Sequence, residues 1–227
     1  MSVFQTSQQL LDGFKLFAGR PSPDEGISDP EIFALLEQGQ RHVYGIFASH
    51  VPDVLYGDPT IMSTSDSKVY TFASSVFPLG SVEIRSARNG QLLTPGTEWD
   101  SNADFVWEGD QIRIPNNRTR SFSSGPYARY ISIPTALDAD NEPSLKPPHA
   151  RILILYHALY LWAEIGGGAN QVDPNRYLGL FQSALSGDTR IPGDIGILGQ
   201  LKTQGYGSGM AAASFPQPWY RGSPDLG

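Results

Sequence analysis

The chain has no cysteine among its 227 residues. That excludes disulfides, a thiol nucleophile and any cysteine-ligated metal, and it fits assembly in a reducing compartment. Basic charge is also scarce: 16 Lys and Arg stand against 23 Asp and Glu, for a net charge of -7. A protein that coats DNA neutralises phosphates with Lys and Arg, so a general DNA-coating role is not expected. No apolar run is long enough to cross a bilayer. The longest, Ile152 to Ile165, is fourteen residues interrupted by His157 and Glu164, where a span needs roughly 20. The opening "MSVFQTSQQLLDGFK" lacks a basic region followed by a sustained apolar one, so a secretory signal is not expected.

Glycine and proline, by contrast, are plentiful, with 24 and 18 residues. Much of the chain is therefore expected in turns, hairpins and extended segments. With 40% hydrophobic and 11% aromatic residues, there is still enough apolar material for a core.

The run "RILILYHALYLWAEI" is apolar on nearly every helical face, and a helix of that kind is covered on several sides. Its length, with Ala158 and Ala163 inside, reads as helix rather than buried strand. Gly166 to Gly168 end it, and Asp173 with Pro174 signal the start of the next helix. There Tyr177, Leu178, Phe181, Ala184 and Leu185 form one stripe, making a helical hairpin. Asp29 and Pro30 start an earlier, longer helix whose face carries Ile32, Leu36, Val43 and Phe47, and Pro52 stops it. A shorter amphipathic piece around Leu10, Leu11, Phe14 and Phe17 adds a fourth helix.

Between the helices the period becomes two. "SKVYTF", "GSVEIRSARNGQLL", "TEWDSNADFVWEGDQIRIP" and "YARYISIP" alternate apolar and polar positions between turn residues, the pattern of short half-buried strands. Asn89-Gly90 predicts a tight hairpin turn with both central residues at positive φ. The expected fold class is α+β: a helical bundle (long N-terminal helix plus C-terminal helical hairpin) with an inserted antiparallel β domain and an extended C-terminal arm. Its parts are expected at 1–59 (N-terminal helices), 60–148 (β domain), 149–186 (hairpin) and 187–227 (arm). The arm is Gly-, Pro- and Ser-rich yet carries apolar anchors, notably Ile197, Leu198, Phe215, Trp219 and Tyr220, which suits a segment that orders against a partner.

Chemistry-bearing motifs are few. None of the four histidines has a metal spacing such as HExxH. His157 reads as a core histidine hydrogen-bonded to backbone or a neighbouring helix, and Glu164 as a residue that pairs with an Arg or reaches solvent. The acidic set Glu98, Asp100, Asp104, Glu108 and Asp110 has the composition of a calcium site or of paired glycosidase carboxylates, but hairpin turns commonly carry such charges and the set reads first as solvated turn residues. "GYGSG" lacks the following Lys and Ser/Thr of a phosphate loop. No cofactor and no catalytic activity are expected. Between Asp110 and Asp138, Arg113, Arg118, Arg120 and Arg129 stand without an intervening acid, interleaved with Phe122, Tyr127 and Tyr130. Two readings stay open: a patch for an acidic partner or nucleic-acid phosphates, or a solvated loop neutralised by the acidic turns.

Three features together, "DPEIFALLEQGQRHVYGIF", "ARILILYHALYLWAEIGGGANQVDPNRYLGLFQSAL" and the Gly/Pro-rich C-terminal arm, resemble the head-to-tail connector (adaptor) proteins of tailed bacteriophages. The stretch "GSVEIRSARNGQLLTPGTEWDSNADFVWEGDQIRIPNN" is similar to strand-and-turn modules of phage neck and tail proteins. The resemblance implies a structural virion protein of the neck, assembled in the host cytoplasm. It would form a dodecameric homo-oligomeric ring beneath the portal protein, dock on the portal through its arm and offer a surface to tail or nozzle proteins. DNA would pass through its lumen without specific binding. The large β insertion departs from the mainly helical adaptors. An alternative is a phage tail module that binds carbohydrate or a receptor through its β domain, with Trp99, Trp107 and Tyr127 as stacking platforms. An all-round apolar helix in so small a bundle is also expected to share its covering with a neighbouring subunit.

Overall fold

The computed structural model describes residues 4–19, 27–66, 68–77, 82–115, 122, 125–166 and 172–206. It is α+β, with five α-helices and two sheets among the described residues. The chain divides into two units. Met1–Tyr56 joins Ile133–Ser208 in a helical unit, and Gly57–Ser132 forms a β unit.

Local capping chemistry sets the helix starts. In α1 (Ser7–Phe17), Thr6 Oγ1 accepts from Gln9 N at 3.3 Å while Gln9 Oε1 accepts from Gln5 N at 2.6 Å. In α2 (Asp29–His50), the Glu31 carboxylate accepts from Ser28 N and Ser28 Oγ at 2.6 and 2.7 Å, and Pro30 occupies the first turn, where its missing N–H costs nothing. A short 3₁₀ turn over Pro148–Arg151 leads into α3 (Ile152–Glu164), which ends at Gly166 with φ +84. The Asp173 carboxylate caps α4 (Pro174–Ser186) by accepting from Asn175 N at 2.9 Å.

Helix α3 packs on α1, α2 and α4. Leu153, Ile154, Leu155, Ala158, Leu159, Trp162 and Ala163 are buried by the chain's own elements, while Ile152, Tyr156, His157, Tyr160 and Leu161 are half-buried. The apolar helix is therefore mostly covered within one chain, and the described residues leave an arc through Ile152, Tyr156, Tyr160 and Leu161 half-buried. Contact with α2 depends on Gly39, where a Cβ would stand 2.7 Å from the Ile154 carbonyl oxygen.

Residues 133–148, expected in the β domain, belong to the helical unit instead. Three side chains from three helical segments hold them. Ser7 N and Oγ donate to the Asn141 carbonyl and Oδ1 at 3.1 and 2.8 Å. Gln40, 1% exposed, donates to the Thr135 carbonyl at 2.9 Å and accepts from Ser144 N at 3.0 Å. Arg151, 2% exposed, donates from Nε to Leu145 O (2.8 Å), from Nη1 to Phe4 O and Gln5 O (3.0 and 2.8 Å), and from Nη2 to Glu142 Oε1 and Pro143 O (2.6 and 3.2 Å). A buried guanidinium is tolerable only when its donors are satisfied, and here its three nitrogens bind both the N-terminal segment and the chain returning from the β unit.

The expected arm also begins inside this unit. Residues 196–201 form α5 (Gly196–Leu201), and Ile197 and Leu201 are 7% and 1% exposed. Gly187 (φ +92) and Gly196 (φ +58) shape the turn before it, with Asp194 accepting from Asp188 N and Gly196 N. The two glycines approach so closely that a Cβ on Gly196 would lie 2.2 Å from Gly187 N.

The β unit contains β1 (Thr60–Ile61), β2 (Ser63–Asp66), β3 (Val69–Thr71), β4 (Val82–Arg85), β5 (Pro95–Gly96), β6 (Phe105–Glu108), β7 (Gln111–Arg113) and β8 (Tyr127–Tyr130). One sheet has the order β1-β8-β4, the other β2-β3-β7-β6-β5. All pairings are antiparallel except β5 with β6, which is parallel. The linker between those two strands turns twice, through Asp100 N to Thr97 O and Ala103 N to Asp100 O, so the chain re-enters in its original direction. Both sheets share a core of Met62, Tyr70, Ile84, Leu93, Phe105, Ile112, Ile114, Ala128 and Tyr130.

The Asn89-Gly90 turn differs from expectation. Gly90 N donates to Ala87 O at 2.9 Å, so the centre of the four-residue turn is Arg88-Asn89 and Gly90 closes it, and Gly90 is not among the positive-φ glycines. Its lack of a side chain serves space: a Cβ would stand 2.5 Å from Ser86 Oγ and 2.6 Å from Ala87 N.

Candidate partner-binding site

The histidines form a contact that spacing did not reveal. His42 of α2 and His157 of α3 stack with ring centroids 4.0 Å apart and planes 20° apart, and Phe181 of α4 lies 5.8 and 5.5 Å from them. His157 Nδ1 is buried with no hydrogen-bond partner among the described residues, so this core histidine is held by ring packing rather than by the expected hydrogen bond. Burial, and secondarily the neighbouring His42, push its pKa down to about 4; burial also lowers that of His42. Both rings are thus neutral near pH 7. Glu164 is exposed and accepts from the Tyr160 hydroxyl one turn earlier.

The acidic set holds up the β unit's turns. Asp104 accepts from Thr94 N at 2.9 Å and Asp100 from Asn102 N at 2.8 Å. Glu98 and Glu108 both bind Arg113, the former at 2.7 Å, and the hydrogen bond that Arg113 donates to Glu108 leads in raising the Arg113 pKa. No group of three His, Asp or Glu able to hold a metal occurs among the described residues. No helix among them is long and apolar enough to cross a membrane.

The same pairs bear on the arginine patch. Arg113 lies on β7 and Arg129 on β8, in different sheets, and Arg129 lies 3.9 Å from Glu83, which also binds Arg85. Each of these two cations faces carboxylate on its own unit, in keeping with the neutralised reading. Arg118 and Arg120 lie outside the described residues. Of the arm anchors, Ile197 is a core residue, Leu198 is half-buried, and Phe215, Trp219 and Tyr220 lie outside the described residues.

Two surface features stand out. In the β unit, Trp99 is 91% exposed at the Thr97–Asp100 turn. Trp107, by contrast, stacks on Phe72 at 6.0 Å and meets Phe105 edge-on at 5.3 Å, so it belongs to the core margin rather than to an open platform. In the helical unit, an open groove of about 340 Å³ runs between α2 and the returning segment, floored by Pro30, Phe33, Ala34 and Leu137 and edged by Glu37 and Asp138. The Trp99 loop was legible as an aromatic in an acidic turn. The groove was not, because its two walls are about a hundred residues apart.

Compared with known proteins, the chain matches no protein-family model and no curated sequence.

Proposed function

We propose that the chain is a structural virion protein, the head-to-tail connector (adaptor) subunit of a tailed bacteriophage. It forms a homo-oligomeric ring beneath the portal that joins capsid to tail and continues the DNA channel. The observation that carries the reading is an arc of α3 and its C-cap that the described residues leave partly open: Tyr156, Tyr160 and Leu161 are half-buried and Ile165 is 73% exposed, while Phe17, 45% exposed, packs edge-on against Tyr156. A helical bundle with an unfinished apolar side suits a subunit completed by its neighbours. The β unit, contiguous in sequence, is then the part offered to tail or nozzle proteins. The aromatic segment Phe215–Tyr220 is the part offered to the portal, with Leu198 near its root. The net charge of -7 suits a channel through which DNA passes without sticking.

Mass measurement tests this. The reading expects purified chain, alone or mixed with purified portal rings, to sediment as a dodecamer or as a portal-bound ring. A chain that stays monomeric and ignores the portal sinks it. The alternative, a tail module that binds carbohydrate through its β unit, draws on the exposure of Trp99. It expects a monomer that binds host glycans, with binding lost in Trp99→Ala.

A further inference from the structure

We propose that the stacked pair His42 and His157, with Phe181 packed on it, is an acid-sensitive latch: with both imidazoles neutral it holds α4 and α5 on the bundle, and protonation loosens those two helices while α1, α2 and α3 keep their packing. The latch lies within the helical unit of a single chain and stands whether or not that chain forms a ring.

The weak joint of the bundle is α4. Nine residues of α2 and seven of α3 are buried, against two of α4, Tyr177 and Phe181. Tyr177 also donates its hydroxyl to the Phe17 carbonyl at 3.1 Å. Phe181 packs on the imidazoles, 5.8 Å from His42 and 5.5 Å from His157. One of the two side chains that bury α4 therefore rests on a surface whose charge depends on pH. Helix α5 goes with α4, because the short connection between them is closed on Asp194, which accepts from Asp188 N and Gly196 N at 2.7 and 3.1 Å.

The two rings play different parts. His42 is exposed and takes its proton from solvent, which sets a positive charge on a ring 4.0 Å from that of His157. His157 is half-buried, and its Nδ1 is sealed with no hydrogen-bond partner among the described residues. In an imidazolium both nitrogens are donors. A proton on His157 therefore leaves a charged N–H buried without an acceptor and beside a like charge. The groups around the pair do not offset that charge. Tyr160 on α3 gives its hydroxyl to Glu164, and Arg41 next to His42 is paired with Glu37. From α4 the neighbour is Phe181, while Phe14 and Phe17 of α1 meet Trp162 and Tyr156 instead. Burial, then His42, push the His157 pKa down, the direction this arrangement requires. Relief needs water at His157, and the covering that moves at least cost is the helix with the fewest buried side chains.

The test is hydrogen exchange read by mass spectrometry on the full chain, wild type against His157→Phe at the same pH, so that the intrinsic pH dependence of exchange cancels. Between pH 7 and pH 4.5 the ratio of wild-type to variant exchange rates is expected to rise about fivefold in α4 and α5 and to stay level in α1, α2 and α3. The nearby carboxylates do not mimic this. Hydrogen bonds from Arg190 to Asp188, and from Asp188 N and Gly196 N to Asp194, hold both carboxyls below their ordinary range, and the substitution leaves them in place. A second variant, His42→Phe, is expected to respond less than wild type, because it removes the repulsion and keeps the buried Nδ1. Wild type alone supplies a check that needs no variant: exchange in α4 should rise over the pH range in which the imidazole NMR signals of His157 titrate. An acid response spread over all the helices, one that His157→Phe retains, one that His42→Phe leaves undiminished, or an α4 whose exchange does not follow the titration of His157 overturns the latch.

Discussion

The helical unit is closed by residues far apart in the chain, while the β unit is one continuous stretch. Gln40 reaches across 95 residues to Thr135, and Arg151 across 147 to Phe4; in the β unit the longest strand pairing joins Thr60 to Ala128, and its core is a cluster of apolar and aromatic side chains. One unit therefore depends on a few buried polar clasps that must all be satisfied, the other on apolar packing of two small sheets. The two units are fragile in different ways. A clasp fails all at once because a lost partner strands several buried groups, whereas packing fails in proportion to the volume removed.

The largest expected effect follows from Arg151. Arg151→Met removes donors from four buried or half-buried carbonyls and from Glu142, and is expected to destabilise the helical unit by about 4 kcal/mol. Hydrogen exchange read by mass spectrometry should show protection lost in α1, α2 and α3 while β6, β7 and β8 stay protected. Uniform loss across both units would erase the distinction drawn between them. Next is the reciprocal change in the β unit. Ile112, fully buried, truncated to Ala is expected to cost about 3 kcal/mol, with exchange rising in the strands and not in the helices.

The smallest effect is set by pH at the stacked histidines. The folded-state pKa of His157, about 4, lies below its ordinary 6.5, so the unfolded chain binds the proton more readily. The stability this contributes is complete above about pH 6.5 and is lost as pH falls toward 4. The groups facing His157 are His42 from α2, Tyr160 from its own helix and Phe181 from α4. Since the pair is only partly buried, solvent screening limits the change to about 1 kcal/mol. Urea midpoints for wild type and His157→Phe, compared at pH 7 and pH 4.5, should differ in slope by that amount. Parallel curves would show that the stack is not a proton-sensitive joint.

What the sequence determined by itself was local. Asp173 and Pro174 start α4, Pro52 follows the end of α2, Gly166 ends α3, and the alternation of Val82, Ile84 and their neighbours makes strands. Each signal acts within a turn or two of chain, through a cap, a fixed φ or a side-chain period. Tertiary structure decided the rest. It assigned residues 133–148 to the helices, because the donors that satisfy their backbone lie on Ser7, Gln40 and Arg151. It buried Ile197, because α5 folds back on α4. It paired Arg113 with Glu108 on the neighbouring strand and with Glu98 in the linker before it, and it stacked two histidines whose spacing along the chain carried no sign of contact. It also built the groove, whose walls meet only after the β unit has been looped out. Partners of buried polar groups and walls of grooves are fixed by which distant segments meet, and no periodicity within one segment encodes that choice.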